Sequence, residues 1–74
     1  MKVNVVLKVY SGIIDDVEVY VDPEQADAAL LKWLQKNGAI TEGQTFGDWQ
    51  EMREDGEAPM DFEDSTIFVT NIIE

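Results

Sequence analysis

"KVNVVLKVYSGIIDDVEVYV", residues 2–21, decides the fold. Val3, Val5, Leu7 and Val9 alternate with Lys2, Asn4, Lys8 and Tyr10, and Val6 alone breaks the pattern. A period of two with β-branched enrichment specifies a strand over residues 2–10. "SG" at 11–12 marks a turn. Residues 14–21 alternate again, with Val17, Val19 and Val21 on one face and Asp16, Glu18 and Tyr20 on the other. The two runs read as an antiparallel hairpin with a loop of about three to five residues. An odd-length loop keeps the two apolar faces together and sets Lys8 across from Asp16 or Glu18.

Working outward, "DPEQ" at 22–25 starts a helix. Asp22 caps free backbone N–H groups, Pro23 sits where its missing donor costs nothing, and Gln25 can complete a capping box. The helix should run over 23–37 and stop at Gly38. Ala26, Ala29, Leu30, Trp33 and Leu34 form one apolar stripe. That stripe is expected to pack on the Val3/Val5/Leu7/Val9 face, with Trp33 in the core. Thr45 caps a shorter helix over 46–54, in which Phe46, Trp49 and Met52 share one side. Residues 55–64 then read as an exposed, mobile loop broken by Gly56 and Pro59. "STIFVTNII" at 65–73 is the last strand. Its inward face is either Ile67, Val69 and Ile73 or Phe68 and Ile72.

The order β-β-α-(α)-β predicts one small α+β domain over 1–74. One main helix should cover one face of a three-stranded sheet of order 2-1-3. A chain of 74 residues is too short for two domains.

Composition narrows function by exclusion. The chain holds no cysteine and no histidine. Thiolate and imidazole metal sites, disulfides, and His-based catalysis are therefore out of reach. No signal-peptide pattern and no apolar run near the roughly 20 residues of a membrane span is visible. The expected location is the cytoplasm. An EF-hand reading of "EDGEAPMDFED", residues 54–64, fails: counted from Asp61, the sixth position is Thr66 and the twelfth Ile72. No metal and no cofactor is expected. Nothing marks a nucleophile, a phosphate loop or an opposed carboxylate pair, so an enzyme is not expected.

Charge is the remaining signal. The net charge is −11, and it is lopsided. Residues 1–37 hold six acids and four lysines, net −2; residues 38–74 hold ten acids and Arg53, net −9. Such a field repels nucleic acid and anionic membranes and attracts basic proteins. Asp48, Glu51, Glu54, Asp55, Glu57, Asp61, Glu63 and Asp64 can form a row of negative charge. Spacings of about 5–7 Å along helix or strand resemble those of a nucleic-acid backbone. Trp49 either closes one end of the core or, ringed by these acids, anchors a partner. The leading expectation is an interaction module that binds a basic protein surface, of the nucleic-acid-mimic or inhibitor type. The alternative is a domain that pairs with itself or another chain through its sheet edge, with the charge serving solubility.

Overall fold

A computed structural model describes residues 1–72. Strands β1 (Lys2–Tyr10) and β2 (Ile13–Tyr20) are followed by helices α1 (Pro23–Lys36) and α2 (Phe46–Glu54) and strand β3 (Thr66–Asn71). The sheet order is β2-β1-β3, and β1 is antiparallel to both neighbours. This is the α+β arrangement that the sequence predicts. The last strand is shorter than 65–73, ending at Asn71, and Ile73 lies outside the described residues.

The hairpin reaches the expected pairing by another route. Its loop has two residues, Ser11 and Gly12, because Tyr10 pairs with Ile13. Both loop residues have positive φ, 51° and 77°, as the two-residue turns that match strand twist require. A loop of two would set Leu7 against Asp16 and put the valines of β2 on the wrong face. A bulge corrects this. The register shifts between Lys8 and Val9, so that Val9 pairs with Ile14 and Lys8 with Asp16, leaving Asp15 as the extra residue. Beyond the bulge Leu7 lies against Val17 and Val5 against Val19. Lys8 forms ion pairs with both Asp16 and Glu18.

α1 is capped as its sequence suggests. The Glu24 N–H donates to the Asp22 carboxylate at 2.9 Å, Pro23 opens the helix, and Gly38 takes a φ of 79° after its end. Gln35 Nε2 then donates to the carbonyls of Thr41, Glu42 and Gln44, which fixes the link to α2. α2 begins with a reciprocal capping box between Thr45 and Asp48.

The face of the sheet that the helices cover is the opposite of the expected one. The core joins Val6, Ala26, Leu30, Leu34, Ala39, Ile40, Trp49 and Phe62, with Tyr20, Trp33 and Ile67 packed against it. Val6, Tyr20 and Ile67 belong to the same side as Asn4, Lys8 and Glu18, since Val6 pairs with Glu18 and Ile67, and Asn4 with Tyr20. The helices therefore lie on the more polar face of β1. Val5, Leu7, Val17, Val19 and Phe68 occupy the other face, where Val17, Val19 and Phe68 are exposed and Val5 and Leu7 half-buried, while Val3 and Val9, on the same side of β1, are buried. The physical reason is that the covered side is apolar across the sheet and not only along β1: Val6, Tyr20 and Ile67, drawn from all three strands, together seat the helices, which alternation within β1 does not show. Val6 is the position directly under the α1 stripe and is fully buried. Polar neighbours on that side are satisfied in place. The buried Asn4 side chain donates to the carbonyls of Tyr20 and Val21.

Candidate functional site

The acidic surface is built on two buried aromatic anchors. Trp49, on α2, is 1% exposed, and its indole N–H donates to the Ser65 carbonyl at 3.3 Å. Trp49 is thus a core residue and is removed from the partner-binding set, where it stood as a candidate anchor. Burial of so large a ring in so small a domain is the stronger demand. Phe62 is the second anchor and the residue that sequence reasoning missed. It sits within the acidic run yet is buried, edge-on to Tyr10 at 5.2 Å and to Trp33 at 5.5 Å between ring centroids. A phenylalanine flanked by Asp61 and Glu63 was the available signal.

Phe62 changes the nature of the 55–64 segment. The expected free loop is instead stitched to the body of the fold. The N–H groups of Glu57 and Ala58 donate to the Met52 carbonyl, and Phe62 N–H to Pro59. Asp61 receives two hydrogen bonds from the hairpin turn: Ser11 N–H to its carbonyl at 2.7 Å and Ser11 Oγ to its Oδ1 at 2.8 Å. Ser65 closes the segment. It is fully buried; its Oγ accepts from Val9 N–H and donates to the Val9 carbonyl. Arg53, the only base of this half, spans α2 and the segment. It donates to the Glu63 carbonyl and to Thr66 Oγ1.

Glu51, Glu54 and Asp55 on α2 and Glu57, Asp61, Glu63 and Asp64 on the segment are exposed, and Asp48 is half-buried in its capping role. These carboxylates therefore stand on a pinned scaffold. Asp48 and Asp61 also hold local structure together, so their charge is not their sole duty.

Three of the four lysines are gathered elsewhere. Lys8, Lys32 and Lys36 line a groove of about 360 Å³ between α1 and β2, together with Glu18, Tyr20, Ala29 and Trp33. Trp33 is therefore half-buried at the margin of the core, packed against it on one side and facing this groove on the other, rather than sealed within it. Asp27 on α1 is half-buried, and desolvation raises its carboxyl above the usual aspartate range. Among the described residues no three acids are grouped closely enough to hold a metal ion, and no helix is long and apolar enough to cross a membrane. In comparisons with known proteins the chain matches no family model, no curated protein and no solved structure.

Proposed function

We propose that the protein is a non-enzymatic interaction module whose acidic surface, residues 48–64, engages a basic protein surface. The observation that carries this reading is that the acids stand on a pinned scaffold. Trp49 and Phe62 point inward, and backbone hydrogen bonds hold the segment between them. A solubilising tail needs only charge; holding charge in a fixed row lowers the ordering cost of binding. The row follows a helix and a tethered segment, a spacing compatible with a surface that otherwise receives phosphates. The lack of histidine and cysteine in the sequence supports a role in binding rather than chemistry.

Capture of partners from a lysate at low salt tests the proposal. Bound proteins should be basic, should be released as salt rises, and should be lost when Glu51, Asp55, Glu57 and Glu63 become amides. Identical capture by the native and amide proteins would reduce the acidic surface to a solubility device.

A further inference from the structure

The face of the sheet opposite the helices is ordered in largely apolar, uncharged rows, with Asp15 at its hairpin end. Phe68, Val5 and Val19 form one row across the three strands, and Thr66, Leu7 and Val17 the next; Val3 pairs with Thr70 beyond them. Val19 is 57% exposed, Val17 48% and Phe68 45%. A sheet covered by helices on one side normally leaves polar residues on the other. Here the arrangement is reversed at β2 and β3: the ion-paired Lys8 and Glu18 lie on the helix side, and Val17, Val19 and Phe68 face solvent, whereas Val3 and Val9 of the central strand are buried.

Charge distribution selects the occupant. On a chain of net charge −11, the rows from Val3 to Leu7 carry no acid and no base; alternation with Val17 and Val19 leaves Asp15, at the bulge by the hairpin end, as the one acid on this side. A charged partner surface finds little here to complement. A second copy does, because an identical twisted, largely uncharged sheet matches it row for row at the usual sheet-on-sheet angle of about 30°. Repulsion between two such copies is also limited. α2 and the acidic segment pack on the far side of each sheet, through Trp49 and Phe62. Layers about 10 Å apart put the two acidic sides roughly 30 Å from one another, well beyond the screening length of about 8 Å at 0.15 M salt.

We infer that this face is the isologous interface of a homodimer, two copies stacked sheet on sheet with their helices outward. The footprint, three strands by about six residues, is roughly 14 Å by 20 Å. That is small beside the ~800 Å² per partner of a standard interface, so the dimer is weak and dissociates on dilution. Its salt dependence is opposite to that of the acidic surface. Salt screens the repulsion between copies and strengthens the dimer, whereas it weakens capture of a basic partner.

Sedimentation equilibrium of the native protein from about 5 to 500 μM, at about 0.02 and 0.3 M salt, tests this directly. The expected result is a monomer–dimer equilibrium that tightens at the higher salt. Val19→Lys and Val17→Lys alter exposed side chains and should leave the circular dichroism spectrum intact while weakening the dimer at least about ten-fold. Methyl and aromatic NMR shifts followed on dilution of the native protein need no variant. They should change at Val5, Leu7, Val17, Val19 and Phe68. A monomer throughout, a dimer unmoved by both lysines, or shift changes confined to β2 or β3 edge amides would overturn the proposal.

Discussion

At the scale of single residues, the two tryptophans divide the roles in a way their sequence positions do not show. Trp33 lies on a clean apolar stripe, yet it ends half-exposed beside the lysine groove. Trp49 lies among acids on a weak helix, yet it is sealed in the core. Trp49→Ala should therefore cost about 3–5 kcal/mol in urea unfolding, and Trp33→Ala clearly less. An equal cost for both would contradict the packing described. Asp27 supplies a pH signature. Its folded carboxyl binds a proton more readily than the unfolded one, so native chains hold more protons in the window between the two values. Stability from this group falls as pH rises through that window, and the ionised form is penalised at neutral pH. Asp27→Asn should raise the melting temperature at pH 7, and the gain should shrink as pH drops below about 4. A constant gain across that range would assign the effect to something other than ionisation.

At the scale of elements, the bulge at Asp15 explains both what was legible and what was not. Two strands, their partnership and the placing of Lys8 across from Asp16 or Glu18 follow from alternation and an odd loop, which more than one register satisfies. The loop length does not follow, because an odd loop and an even loop with one bulge give the same register. The same ambiguity hid the covered face. Alternation says which residues share a side, but not which side the helix takes when Val6 opposes a run of valines. The acidic surface was legible as composition and illegible as structure, because Phe62 works through contacts with Tyr10 and Trp33, far away in sequence. Asp15 itself is exposed, so Asp15→Ala should change the melting temperature little. Deleting Asp15 removes the unpaired residue and leaves Val9 opposite Ile14, Lys8 opposite Asp16 and Leu7 opposite Val17, so the variant should still melt cooperatively with a regular two-residue hairpin. A deletion variant that loses cooperative melting would show that Asp15 does more than fill the bulge. Thr45→Ala removes half of the α2 capping box and should cost about 1 kcal/mol, read by the same denaturation.

At the scale of the whole molecule, the charge is segregated as well as large. Lysines line one groove, and the acids of residues 48–64 cover α2 and the segment beyond it. Compaction brings like charges closer than they are in the expanded chain, so the folded state is opposed by its own field. Raising salt from about 0.01 to 0.15 M shortens the range of that field from about 30 Å to about 8 Å. The melting temperature should rise over this interval. The Glu51, Asp55, Glu57 and Glu63 amide variant should melt higher than the native protein at low salt and nearly level with it at high salt. A melting temperature indifferent to salt would mean that the acids are too widely spaced to interact.

The bulge also bears on what this sheet does not become. A sheet of β-branched strands can grow by strand addition where a straight edge strand is left open, and β2 is one such edge here. On the β2 edge the ladder is broken at Asp15, and the Asp16 carboxylate already takes the Val17 N–H at 2.9 Å. An incoming strand meets a twisted, negatively charged edge with a donor already occupied. Growth by strand addition is checked at that edge, and the proposed sheet-on-sheet pairing would use up the open face without adding a strand to either edge.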